Sequence, residues 1–163
     1  MALTLVSPAT TWKLPRNILV GVDGSEISGK AVEFAIKLSK EFSSSLTMVN
    51  VIQFPGFLAI QEPTMSRRVD EALDDFRTNA RAAMSPFMDK ALSRATAEGV
   101  NASFEILDVD TSPVEAITNY ATAHNVDLIV VGNRGLGGFK RLLTGSVSSG
   151  IIDHAHCSVL VVK

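Results

Sequence analysis

Leu128-Ile-Val-Val-Gly132-Asn-Arg-Gly135-Leu-Gly-Gly-Phe-Lys-Arg-Leu-Leu-Thr-Gly145-Ser146 joins a short apolar run to a glycine-rich segment and then to a stretch that can begin a helix. A strand that passes through such a loop into a helix suits a phosphate cradle. Main-chain N–H groups are approachable where no Cβ stands in the way, and the unpaired N–H groups of a helix start attract an anion. Gly132, Gly135 and Gly145 are expected to take positive φ in that role. Arg134, Lys140 and Arg141 add positive charge, and no Asp or Glu lies between Leu128 and Ile152 to oppose it. The spacing is glycine, two residues, glycine, nine residues, glycine and a hydroxyl, which differs from the two commonest phosphate loops. A Walker A loop needs Lys directly after its last glycine, and no glycine of this loop is followed by one. The dinucleotide fingerprint Gly-x-Gly-x-x-Gly fails because Gly135-Leu-Gly137 meets Lys140 at the last position. For a glycine-rich loop read by itself, a plain turn is the competing interpretation.

Upstream, strand-like and helix-like segments alternate. Asn17-Ile-Leu-Val-Gly-Val-Asp23, bounded by Pro15 and Gly24-Ser25, has the pattern of a buried strand. A helix follows, with Ala31, Phe34, Ala35, Leu38 and Phe42 expected on its sheet-facing side and Lys30, Glu33, Lys37 and Lys40 on the other. Leu46–Ile52 is a second strand, after which Phe54 to Ser66 forms an irregular loop suited to a lid or contact surface. Val69, Leu73, Phe76, Ala80, Met84, Phe87 and Ala91 then step through a long amphipathic helix that ends at Glu98-Gly99. Pro86 should kink that helix near Ser85 or start a second one there. Ser103–Asp108 is a third strand whose alternation suggests an edge. Ser112-Pro-Val-Glu115 opens a helix, with Ser as N-cap, Pro at the first helical position and Glu three residues after the cap. Val126–Gly132 is the fourth strand, Gly145–Asp153 a short helix and Ser158–Val162 the last strand. Strands alternating with helices imply a mainly parallel sheet covered on both faces.

With 163 residues, 46% hydrophobic and 20% charged, the chain is expected to form one globular domain, from about residue 16 to 163, preceded by an arm of the first 15 residues. A net charge of −2 gives no broad basic face, which argues against nucleic-acid binding. One cysteine, Cys157, excludes an internal disulfide and fits a reducing, cytoplasmic setting. No apolar run reaches the length of a membrane span. His154, His156 and Cys157 lack a second ligand cluster at zinc spacing, so no metal site is expected there. His124 is placed to interact with the carbonyls at the end of its helix.

Taken together, Val20-Gly-Val-Asp-Gly-Ser25 after the first strand, Gly132-x2-Gly135-x9-Gly145-Ser146 after the fourth and the terminal Val159-Leu-Val-Val162 resemble the universal stress protein family, in its ATP-binding branch. The resemblance spans about Arg16 to Lys163. It implies an α/β fold of Rossmann-like type, a single open five-stranded parallel sheet in the order 3-2-1-4-5 with helices on both faces. Nucleotide would then lie across the carboxyl ends of strands one and four, where ligands bind in open α/β sheets. By position, Gly21, Val22, Asp23 and Val51 would border adenosine. Val131, Gly132, Asn133, Arg134 and Gly135 would line ribose and phosphates, and Gly145, Ser146, Val147 and Ser148 would hold the phosphate chain. The implied ligand is ATP, with Mg or Mn. Two departures stand out: Ser158 replaces a frequent proline before the last strand, and Asp108-Val-Asp110 replaces a frequent glycine near Val109. The first puts the final connection in doubt, the second the end of the third strand.

Asp23 could accept hydrogen bonds from a nucleotide, help hold a phosphate-bound metal, or simply cap its own turn before Ser25. Ser146 and Ser148 could donate to phosphate or serve as structural caps. Asp108 and Asp110 could bind a cation or be a solvated strand end. No general base or nucleophile stands near the loop, so an ATP-binding regulatory homodimer is expected rather than an efficient enzyme. Its apolar strand Val159–Val162 would pair with a second copy, and it would act on a downstream protein partner. An adenine-nucleotide hydrolase or AMP-transfer enzyme, and a nucleotide-free interaction module, are the alternatives.

Overall fold

The computed structural model describes residues 13–53, 66–133 and 145–163. The expected N-terminal arm up to residue 12, the Phe54 to Ser66 loop up to residue 65, and Arg134, Gly135, Lys140 and Arg141 lie outside the described residues. Nine elements alternate: β1 (Asn17–Val22), α1 (Glu26–Phe42), β2 (Ser45–Gln53), α2 (Ser66–Ala97), β3 (Ala102–Val109), α3 (Pro113–Ala123), β4 (Leu128–Gly132), α4 (Ser146–His154) and β5 (Ser158–Val162). All pairings are parallel, and the strand order is β3-β2-β1-β4-β5. Strand order therefore reverses between β1 and β4, and β3 and β5 are the two edges, as their sequences suggest.

Each face of the sheet has its own core. Alternation along β1 sends Ile18, Val20 and Val22 to one face, where they pack with Ala31, Val32, Ala35 and Ile36 of α1 and Ala91 and Ala95 of α2. Leu19 points the other way and joins Val49, Ile129 and Val131 with Ile117 and Ala121 of α3 and Ile151 of α4. The covering face of α1 differs from the expected one. Its buried residues are Ser28, Ala31, Val32, Ala35, Ile36 and Ser39, whereas Phe34 is 45% exposed. Val32 and Ile36 supply the shorter β-branched contacts that let α1 sit close to the sheet, and this rotation of the buried stripe turns Phe34 outward.

Helix boundaries follow their caps. Ser25 Oγ accepts from Ser28 N, and Ser112 Oγ accepts from Glu115 N with Pro113 at the first turn. α1 ends on Ser43 in the left-handed region, and Asn125 takes φ 50 after α3, so β4 begins at Leu128 rather than Val126. Pro86 lies inside a continuous α2 and does not start a second helix.

α2 has 32 residues, against 8 in β3. At 1.5 Å per residue it is about 48 Å long, roughly twice the length of the strand it leads into. Arg81 pairs with Asp108 near the carboxyl end of β3, so the turns of α2 before Arg81 run past that edge of the sheet. Exposure agrees: Ala91 and Ala95 are buried, while Glu71, Asp74, Asp75 and Phe76 are exposed. A chain of ion pairs, Glu33–Arg94–Glu98–Lys40, ties α1 to the end of α2.

Candidate functional site at the carboxyl edge of the sheet

The reversal of strand order opens a crevice where β1 and β4 diverge, and most of the predicted site residues meet there. β1 ends at Val22 and is followed by Asp23 and Gly24. One oxygen of Asp23 accepts from Ser25 N at 3.0 Å, which closes the turn into α1. Gly24 has φ +80, a conformation that disfavours any side chain, so the tight exit from β1 requires glycine. The structural role expected as one alternative for Asp23 is thus present.

Gly21, Val51 and Val131 share the α3 face of the sheet. A Cβ at Gly21 would stand 3.3 Å from Val131 Cγ1 and 3.5 Å from Ile117 Cδ1, so this glycine lets strand and helix pack closely. Val51 and Val131 belong to the same apolar cluster on that face.

The end of β4 and the start of α4 are joined directly. Asn133 N donates to Val162 O at 2.7 Å, which extends the pairing of β4 and β5 by one bond. Asn133 O accepts from Gly145 N at 2.6 Å, and Ser148 Oγ lies 3.5 Å from the same carbonyl and 3.0 Å from Gly145 O. The buried Ser148 is thereby committed to holding the turn. Gly145 is the N-cap and has no side chain to accept from the first-turn amides of Ser146, Val147 and Ser148. The first bond of α4 in this turn is Ser149 N to Gly145 O. Gly145 has φ −70 and ψ 159, so the expectation of positive φ there is wrong. Any L-residue can adopt that backbone, and what glycine contributes at this N-cap is the absence of a side chain. Gly132 likewise closes β4 as an extended strand residue.

Asn50 was not anticipated from the sequence. It is 7% exposed on β2, and its Nδ2 donates to Val22 O at 2.8 Å. A polar residue in the run Met48-Val-Asn-Val-Ile52 is the signal that could have revealed it. It fixes the last carbonyl of β1 immediately before Asp23.

The other candidate ligands are engaged elsewhere. Asp108 pairs with Arg81, His154 Nδ1 contacts Gly150 O, and His156 Nδ1 contacts Thr122 Oγ1. His124 reaches Tyr120 O and stacks on the Tyr120 ring, as its place at the helix end implies. Burial pushes the Cys157 thiol above its ordinary value, which disfavours the thiolate. Among the described residues no three His, Cys, Asp or Glu side chains are grouped to hold a metal, and no helix is long and apolar enough to cross a membrane.

An open parallel α/β sheet whose strand order reverses between β1 and β4, with helices on both faces, defines the class as a Rossmann-like α/β domain. Within that class the chain belongs to the universal stress protein family, whose sequence model matches residues 15–163. It is 30% identical over 146 residues to the universal stress protein YxiE of Bacillus subtilis, covering 90% of this chain and 97% of the relative. It is 31% identical over 150 residues to the universal stress protein MJ0531 of Methanocaldococcus jannaschii, covering 92% and 83%. The solved universal stress protein UspA of Lactobacillus plantarum is similar in fold, with a TM-score of 0.71 and 31% identity over 90% of this chain and 97% of that one. Two more distant structures share the fold alone. A universal stress protein of Archaeoglobus fulgidus in complex with dAMP has a TM-score of 0.65 and 18% identity over 93% and 100% of the chains. One of Arabidopsis thaliana with AMP bound has 0.62 and 21% over 91% and 92%.

Proposed function

We propose that this protein binds ATP at the carboxyl edge of β1 and β4 and acts as a nucleotide-dependent regulatory module of the stress response. The observation that carries the reading is the α4 start: Gly145 offers no competing cap, and the turn is fastened to β4 through Asn133. Donors held in place before the ligand arrives lose little on binding. The amides of Ser146, Val147 and Ser148 receive phosphate oxygens, and Gly132, Asn133, Arg134 and Gly135 follow the ribose and phosphates. The apolar wall of Val51 and Val131 takes the adenine, with Gly21 and Val22 beneath it and Asp23 accepting from the adenosine portion. Relatives of this fold carry AMP and dAMP, which supports adenine as the base. Arg134, Lys140 and Arg141 in the connecting sequence favour a ligand with more than one phosphate.

A Mg or Mn ion fits this site only as a companion of the phosphates. Among the described residues no three ligating side chains are clustered, and Asp23 is the carboxylate that follows β1. Such an ion would neutralise phosphate charge. The chain's own residues bind and orient the nucleotide, and among the described residues none is placed as a base for efficient hydrolysis.

The active unit in this reading is a homodimer joined through β5. That strand lies at the sheet edge and is apolar from Val159 to Val162. Val162 turns its carbonyl inward to Asn133, so alternation turns the main-chain groups of Val159 and Val161 outward, ready to pair with a second copy. Heat extraction of the purified protein, followed by chromatography, tests the reading. ATP or ADP at about one per chain supports it, and no nucleotide retained after incubation with Mg-ATP refutes it.

A further inference from the structure

Gly150 lies in the middle of α4, little more than one turn past the Gly145 cap, and helix interiors disfavour glycine. Its neighbour accounts for it. A Cβ built at Gly150 would stand 2.7 Å from Val114 Cγ2, 3.1 Å from Val114 Cγ1 and 3.5 Å from Val114 Cβ. Val114 is in the first turn of α3, just inside the Ser112 cap, so that end of α3 is fixed. Valine in a helix has one strongly preferred rotamer, and turning it would exchange one methyl for the other against the same spot. The contact cannot be relieved by a flexible side chain, so one helix must move.

We infer that Gly150 is a positioning residue for the ligand site: by letting α4 rest on Val114, it sets the height of the α4 first turn over the end of β4. The inference rests on the nucleotide reading above. The turn it positions is the one whose Gly145 N–H reaches Asn133 O at 2.6 Å and whose Ser148 Oγ reaches Gly145 O at 3.0 Å. The adjacent face of α4, about 100° further round the helix, is held by Ile151, which is fully buried against the sheet. Between a fixed α3 and a buried Ile151, an added methyl tilts α4 and carries the amides of Ser146, Val147 and Ser148 out of register with a bound phosphate.

The test compares wild type, Gly150→Ala and the double variant Val114→Ala/Gly150→Ala. Mg-ATP is titrated calorimetrically into each, and amide chemical shifts are recorded without ligand. Gly150→Ala is expected to weaken Mg-ATP binding about tenfold, the weakening of one charge-assisted hydrogen bond, and to shift the amides of Asn133 and Gly145–Ser149. Removing the Val114 methyls in the double variant should restore both readouts. A merely structural glycine would lower the unfolding midpoint while leaving affinity and these shifts at their wild-type values, and that result overturns the inference. If Gly150→Ala does not fold, the double variant decides alone: near-wild-type affinity supports the inference, and a tenfold loss overturns it. Absence of Mg-ATP binding by wild type would instead sink the nucleotide reading, and the shifts at Gly145–Ser149 would still decide whether Gly150 places α4.

Discussion

Replacing Asn50 tests how the end of β1 is built. Its amide is 7% exposed and donates to the carbonyl of Val22, a residue itself 5% exposed, at 2.8 Å. Asn50→Leu keeps the branched outline of the side chain and deletes the donor, leaving that carbonyl short of a partner; the expected cost is about 1–3 kcal/mol. Asn50→Asp is more informative. At neutral pH it sets a carboxylate against a carbonyl oxygen, losing the donor and burying a charge, so it should cost more than Asn50→Leu. The neutral acid can donate to Val22 O and the carboxylate cannot, so the folded state raises the pKa of the introduced carboxyl. A raised folded pKa means that its stabilising contribution is fully present below the unfolded value, about 3.9, and is lost as pH rises through the folded value. Urea unfolding of wild type and Asn50→Asp at pH 7 and near pH 4 reads the difference. The gap should be wide at pH 7 and narrow towards pH 4. A gap that is small at pH 7, or equal at both, would refute the role given to this hydrogen bond.

Three further outcomes follow from individual contacts. Tyr120 is the single tyrosine of the chain, and its hydroxyl is pushed up to about 12, first by burial and then by its hydrogen bond and charge interaction with Glu105. Absorbance at 295 nm should show no ionisation near pH 10 until the protein unfolds, and Glu105→Gln should lower the midpoint; the neutral phenol stabilises the fold below pH 10 and that contribution is lost between pH 10 and about 12. Gly29→Ala should stabilise the protein by about 1 kcal/mol, because a Cβ there meets only Phe87 Cε2 at 3.9 Å in a helix interior; an unchanged or lower urea midpoint would contradict it. Val161→Pro removes an outward N–H of β5 without touching its bonds to β4, so sedimentation should show monomer where wild type is a dimer, and a dimer in both would count against pairing through this edge.

The fold was legible because its signals are local and repeated. Each strand is a short apolar run, the Ser112-Pro113-Glu115 start is a capping sequence that folds as written, and the edge positions of β3 and β5 follow from alternation and chain order. What escaped was tertiary. Periodicity admits two adjacent stripes on α1, and only packing against the sheet chooses Val32 and Ile36 over Phe34. Pro86 is a helix breaker by propensity, yet α2 continues through it. Gly145 was expected at positive φ because glycine commonly serves that purpose, while Gly24 is the site residue that needs it. Asn50 and Gly150 act through partners 28 and 36 positions away in the chain, distances at which spacing carries no information.

Amide shift mapping during titration with Mg-ATP probes the α4 start residue by residue. The resonances of Ser146, Val147 and Ser148 should move with saturation at one ligand per chain, together with those of Asp23 and Gly24, while adenosine without phosphates should leave the α4 amides nearly still. Binding that displaces resonances elsewhere and leaves Ser146–Ser148 unmoved would contradict the account.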